Sequence, residues 1–187
     1  MKYLILFICC VFINQSFAYE LKVSKSYEGK GVFSVSATEK FRSRAVDLYE
    51  AVQKYDEFCD SGCTFDMPGI KETHILLKHA DGSTLIWTYL DDIIDSQYFS
   101  KVTPRKLKNG FEVTFKLANE EEISMLKNIT NKKHEPLFYK ADIYTKAVEV
   151  FEAGRFSYTR VEYKMNFKTK KLMLKISHSS VLNKMYQ

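Results

Sequence analysis

The 187-residue sequence carries none of the short motifs that mark common catalytic or nucleotide-binding sites. GxSxG, the P-loop pattern, HExxH and GxGxxG are all missing, so a nucleophile elbow, a phosphate cradle, a zincin helix and a dinucleotide turn have no local signature. There is no internal repeat, low-complexity tract or linker, and no apolar run, the N-terminal one from Tyr3 to Ile13 included, reaches the roughly 20 residues that a bilayer span takes. Charge of one sign is also lacking. The 28 Lys and Arg stand against 23 Asp and Glu for a net of +5, interspersed except at Lys168-Thr169-Lys170-Lys171. So mild an excess reads as a solvated surface and argues against a nucleic-acid partner, while leaving room for peripheral attraction to anionic lipid surfaces. Tryptophan occurs once. Cysteine occurs four times, twice within the first eighteen residues.

Those first residues read MKYLILFICCVFINQSFA, one lysine followed by an apolar run and a small-x-small ending at Ser16-Phe17-Ala18. The pattern predicts a secretory signal over residues 1–18, cleaved near Ala18-Tyr19, and a mature chain of one domain over 19–187. The expected location is periplasmic or secreted. Cys9 and Cys10 leave with the signal, and Cys59 and Cys63 remain, in EFCDSGCTF. An oxidising compartment favours a disulfide between them, a local staple worth about 2 kcal/mol in the chain-entropy account. A redox pair and a metal site are the alternatives. CxxxC after a helix is unlike the CxxC at a helix start, and His74, His79, His134 and His178 lack paired ligand spacing. No metal and no cofactor is expected.

What the chain has in quantity is long apolar side chains, with 14 Phe and 12 Tyr. In RSRAVDLYEAVQKYDEFC, Ala45, Leu48, Val52 and Tyr55 recur at helical spacing on one face, and Gly62 with Met67-Pro68-Gly69 stop the helix. Most of the remainder alternates as strands. Asp81-Gly82 and Asn109-Gly110 predict hairpin turns, and after the second Phe111, Val113, Phe115 and Leu117 point one way while Glu112, Thr114 and Lys116 point the other. Asn119 with three following glutamates predicts the N-cap of a short exposed helix and then a loop. Strands resume through 137–153, 155–167 and 171–179, with turns at Gly154 and around Lys168 to Lys171, and GVFSVSATEKF forms another strand before the main helix. About seven strands with one early helix predict an antiparallel α+β domain.

The order of these segments resembles the START-like (SRPBCC, helix-grip) family over roughly Val32 to Met185. YDEFCDSGCTFDMPGIKETHIL is similar to the end of that family's early helix and its entry into the next strand. LIWTYLDDIIDSQYFSKVTPRKLKNGFEVTFKLA resembles its central strands, with Ser96-Gln97 where many members carry Arg-Asp, and EVFEAGRFSYTRVEYKMNF resembles its late strand pair. The family's long C-terminal helix has no counterpart of full length, because SVLNKMYQ has room for about two turns. The resemblance implies a curved sheet gripping the helix around an apolar or amphipathic small molecule, commonly a lipid. Leu48, Val52, Trp87, Tyr89, Phe111, Val113 and Phe115 are then the candidate lining residues. It equally implies that residues 120–133 are either a cover for the groove or a solvated loop.

Chemistry is sparse. Ser177-His178-Ser179 alternate across a strand and cannot pair as nucleophile and base by neighbourhood. Asp91, Asp92 and Asp95 form an acidic turn that is either solvated or a cation site, and no catalytic residue is assigned. Asn128-Ile129-Thr130 is a glycosylation sequon with meaning only in a eukaryotic secretory pathway. The expected function is therefore non-enzymatic binding of a lipid or other hydrophobic small molecule. The alternatives are a protein-interaction module using the exposed sheet or the 119–135 insertion, and a hydrolase or cyclase on the same fold.

Overall fold

A computed structural model describes residues 22–29, 32–59, 65–66, 70–91 and 95–169; of 22–29, 33, 58–59, 65–66 and 169 it describes the backbone alone. The strands are β1 (Lys22–Gly29), β2 (Val32–Phe41), β3 (Phe58–Cys59), β4 (Phe65–Asp66), β5 (Ile70–Lys78), β6 (Thr84–Leu90), β7 (Ser96–Leu107), β8 (Gly110–Leu117), β9 (Phe138–Glu152) and β10 (Arg155–Thr169). The helices are α1 (Ala45–Val52) and α2 (Glu120–Ile129), with a 3-10 turn at Tyr55–Glu57. Eight strands form one curved antiparallel sheet in the order β1-β2-β10-β9-β8-β7-β6-β5, and β3 and β4 make a separate parallel pair. The first strand, β1, falls outside the segments that the sequence pattern assigns to strands.

Helix α1 lies on the inner face of the sheet, across β8 and β9. Ala45 and Leu48 are buried, Val52 and Tyr49 pack half-buried on the same cluster, and the Tyr49 and Phe111 rings meet at 5.2 Å. This arrangement of a curved sheet closed around one helix is a helix-grip α+β fold. The cluster below the helix takes inward side chains from every well-described strand: Val35 and Ala37 of β2, Val161, Tyr163, Met165 and Phe167 of β10, Ile143 and Ala147 of β9, Phe111, Val113 and Phe115 of β8, Tyr98 and Val102 of β7, Ile86 of β6 and Ile70 of β5. Arg160, on the opposite parity of β10, is exposed and pairs with Glu162 at 3.2 Å, as the alternation predicts.

The N-terminus of α1 is held from the sheet. Arg44 precedes the first helical residue and offers no side-chain cap. Glu149 of β9 replaces it, accepting from the Ala45 N–H at 3.0 Å and from the Arg44 guanidinium at 2.7 and 2.9 Å. A carboxylate here meets both an orphan helix donor and the positive end of the helix dipole. The hydrogen bond from Arg44 holds the Glu149 carboxyl below the usual carboxylate range. Glu149→Ala is expected to lower stability by about 1.5–3 kcal/mol, read from the denaturant midpoint at unchanged slope. Because the folded pKa is depressed, this stabilisation is fully present above the unfolded value, about 4.3, and is lost as pH falls through the lower folded one. Glu149→Gln should therefore flatten the acid side of the stability profile.

Turn chemistry departs from expectation in two places. The β7–β8 turn is Lys108-Asn109, one residue before the predicted Asn-Gly, and Gly110 already pairs with Leu107 in the ladder. Strand β10 continues through Lys168 and Thr169, paired with β9, so the turn predicted around Lys168 to Lys171 does not begin there; Lys170 and Lys171 lie outside the described residues. At the β9–β10 turn Ala153 and Gly154 both have positive φ, 48° and 76°, the signature of a primed hairpin turn. An L-residue other than glycine pays about 1–2 kcal/mol for that conformation. Ala153→Gly is expected to stabilise the fold by about 0.5–1 kcal/mol, a rise of a few degrees in Tm.

Candidate functional site

A sheet with two faces needs two coverings, and the described chain supplies a different one for each. On the outer face a second cluster gathers Leu85, Trp87, Phe99, Ala118 and Leu126, with Leu76, Leu77, Tyr89 and Ile123 packed against it. Helix α2 covers it. Its capping box is complete, the Asn119 side chain accepting from the Glu122 N–H at 2.8 Å and Glu122 accepting from the Asn119 N–H at 3.0 Å. Behind the helix a strap crosses β6 and β7: the Trp87 indole donates to the Lys133 carbonyl at 3.0 Å, and the Phe99 N–H donates to His134 Nδ1 at 2.9 Å. The Lys132 ammonium sits 3.9 Å above the Trp87 ring. The insertion is thus neither a lid on the groove nor a free loop; it is the cover of the sheet's back.

This divides the seven candidate lining residues. Leu48, Phe111, Val113 and Phe115 are buried in the inner cluster, and Val52 packs half-buried against it. Trp87 and Tyr89 lie on the outer face, with rings 6.1 Å apart, away from α1. Register explains the correction. Trp87 pairs with Phe99 and His74, whereas its neighbour Ile86, paired with Ser100 and Ile75, is the residue that faces inward. The Cys59 and Cys63 pairing, the Ser177 to Ser179 segment, Asp92, the C-terminal stretch after Thr169 and the signal segment lie outside the described residues or side chains. Of the acidic turn, Asp91 pairs with Lys71 at 3.7 Å.

The inner face also carries groups that the sequence reading did not single out. Thr73 of β5, Thr88 of β6 and Tyr98 of β7 are cross-strand neighbours on one face, and Ser100 follows two residues along β7. Thr73, Thr88 and Ser100 are 4%, 1% and 0% exposed, yet their hydroxyl oxygens have no hydrogen-bond partner. Burial pushes the ionisation of the Tyr98 hydroxyl well up, outweighing an opposing interaction with the neighbouring Thr88 hydroxyl, so Tyr98 stays protonated. Each such orphan costs about 1–3 kcal/mol until something meets it. Three on adjacent strands, beside Ile75, Ile86 and Val102, form a polar patch within the core. Helix α1 lies across β8 and β9, beside these strands. The one signal in the sequence is that Thr and Ser occupy inward parity among Ile75, Ile86 and Val102, legible only once the register is known.

Between α1 and the β7–β8 turn an open groove of about 610 Å3 reaches Tyr49 and Phe111, with Arg44, Lys54, Lys106 and Lys108 among its walls. Lys106 Nζ lies 5.7 Å over the Tyr49 ring. Thr73, Thr88 and Ser100 are not among the groove's walls. Among the described residues no group of three or more His, Cys, Asp or Glu converges as a metal site would require.

No family model and no curated protein matches the chain. Among solved structures it is similar to a START superfamily protein from Mycobacterium smegmatis, with 15% identity and a TM-score of 0.49 over 82% of this chain and 91% of that one. It is also similar to Ara h 8.0201, with 13% identity and a TM-score of 0.40 over 75% of this chain and 80% of the other. What the chain's own residues offer is a helix-covered apolar face bearing unmet hydroxyls.

Proposed function

We propose that the chain is an exported, non-enzymatic binder of a lipid or other hydrophobic small molecule, held between α1 and the concave face of the sheet. The supporting observation is the set of buried hydroxyls on Thr73, Thr88 and Ser100 without partners, set among the apolar side chains of Ile75, Ile86 and Val102. A protein that needed this face only as core would do better with Val or Ala at these positions, since an unmet buried hydroxyl destabilises it. The groove beside Tyr49 and Phe111 is the way in. Apolar burial at about 25 cal/mol per Å2 then supplies affinity, and the hydroxyls supply orientation.

Native mass spectrometry and solvent extraction of the purified protein test the reading. A non-covalent lipid-sized adduct supports it; a ligand-free protein that takes up neither fatty acid nor sterol removes it. The hydroxyls make a second test. Thr73→Val with Ser100→Ala is expected to raise the stability of the ligand-free protein by about 1–3 kcal/mol while weakening ligand binding. Equal stability and unchanged affinity would show that these groups are not a binding feature. Export by the segment 1–18 belongs to the same proposal and is checked by the N-terminal sequence of the secreted form. With it goes a Cys59–Cys63 disulfide, checked by thiol titration before and after reduction.

A protein-interaction role has one observation in its favour. Helix α2 buries Leu126 but turns Met125 and Ile129 outward, 37% and 61% exposed and one helical turn apart. Ile129→Lys should abolish any association measured by sedimentation if this stripe is an interface.

A further inference from the structure

We infer that the molecule bound on the concave face is an uncharged amphiphile, seating one hydroxyl, carbonyl or amide group on the hydroxyls of Thr73, Thr88 and Ser100, with its apolar part along Ile86, Val102 and Phe115. The inference rests on the ligand-binding reading above and narrows it to one class of ligand.

Two features select a neutral head. Hydroxyls donate and accept equally, so the patch completes hydrogen bonds with an alcohol, ketone or amide without any change of charge. An ion would bring a charge that hydroxyls alone do not neutralise. Among the described residues Glu39 is the sole charged residue in the buried set, and no lysine, arginine or histidine is buried with it. Glu39 lies on β2, separated from β7 in the sheet order by β10, β9 and β8, and is engaged in an interaction of its own. A carboxylate or phosphate drawn to the patch would therefore be desolvated with no opposite charge beside it, at a cost of several kcal/mol. The exposed cations Lys106 and Lys108 stand at the mouth of the groove, where water screens them, and not at the patch.

The apolar end follows from the same register. Ile86 sits directly opposite Ser100, Val102 is the next inward residue of β7, and Phe115 lies opposite Val102 on β8. A chain leaving the patch along β7 passes Val102 and reaches Phe115 on β8, one of the two strands that α1 covers. The polar group is thus the buried end of the molecule, and the tail runs toward β8. That is the reverse of a headgroup held at the surface.

Isothermal titration of the full chain with 1-decanol, decanoate and decylamine at pH 7 tests this, because the three share a tail and the last two are ionised. Decanol is expected to bind at least tenfold more tightly than either ion, and Thr73→Val with Ser100→Ala to reduce that ratio toward one. The wild-type ratio stands by itself if the double variant fails to fold. Equal or tighter binding of decanoate or decylamine overturns the inference and leaves ligand binding in place. If none of the three binds and native mass spectrometry shows no adduct, the binding reading falls and takes this inference with it.

Discussion

Gly110→Ala is expected to destabilise the protein by more than about 4 kcal/mol, at the extreme of single-residue effects. A Cβ at this position would lie 1.9 Å from the Ala147 carbonyl oxygen and 2.9 Å from its carbonyl carbon. Both are backbone atoms of β9, the strand to which β8 is hydrogen-bonded, so no side-chain rotation relieves the clash. The ladder must separate there, and Phe111, 1% exposed and in tilted ring contact with Tyr49, moves with it. A denaturation midpoint far below wild type, or loss of soluble protein, is the expected reading. Gly154→Ala is the control. Gly154 has positive φ but no atom within 4 Å of its would-be Cβ, so its cost is conformational alone, about 1–2 kcal/mol. Comparable losses for the two variants would refute the close-approach explanation.

Trp87→Ala is expected to cost about 3–5 kcal/mol and yet leave ligand affinity unchanged in the fraction that remains folded. Trp87 is 3% exposed and anchors the outer cluster. It stacks on His74 at 5.6 Å, supports Lys132 and donates to the Lys133 carbonyl, so its loss removes both the filler of that cluster and a fastening of the strap. None of these contacts lies on the face beneath α1. The same placement predicts that Trp87 emission, the only tryptophan signal the chain has, shifts little when ligand binds. A large shift in its maximum on saturation would put the ligand on the outer face and overturn the site as described.

Acid sensitivity follows from carboxylates of the same kind as Glu149. Glu112, on the outer face, accepts from Tyr144 at 2.7 Å and from Arg105, and the Tyr144 hydrogen bond is the largest cause of its depressed pKa. The stabilisation is present above the unfolded carboxylate value and lost below the folded one, so the protein should weaken as pH falls through about 4. The two sites are on different faces of the sheet and share no partner. Their contributions should add.

The helix, the α+β class and the inward set Phe111, Val113 and Phe115 were legible because periodicities of 3.6 and 2 are local properties of a chain. The capping box of α2 was legible for the same reason, its bonds spanning three residues. Trp87 and Tyr89 were misplaced by an equally physical cause. Alternation says that they share a face with each other, but which face that is depends on pairing with β5 and β7, and a slip of one residue reverses the answer. The role of Gly110 was hidden likewise: Asn-Gly signals a turn, whereas the need for glycine comes from a carbonyl on β9, 37 residues away.

By itself the sequence determined which residues alternate, which share the apolar face of the early helix, and that no familiar catalytic motif is present, since each depends on neighbours within a few positions. The tertiary structure alone decided that α2 and its strap seal the back of the sheet, that Glu149 caps α1, and that Thr73, Thr88 and Ser100 meet on the concave face with their hydroxyls unmet. Those facts join strands distant along the chain, and register, which sets them, is a property of paired strands and not of either strand alone.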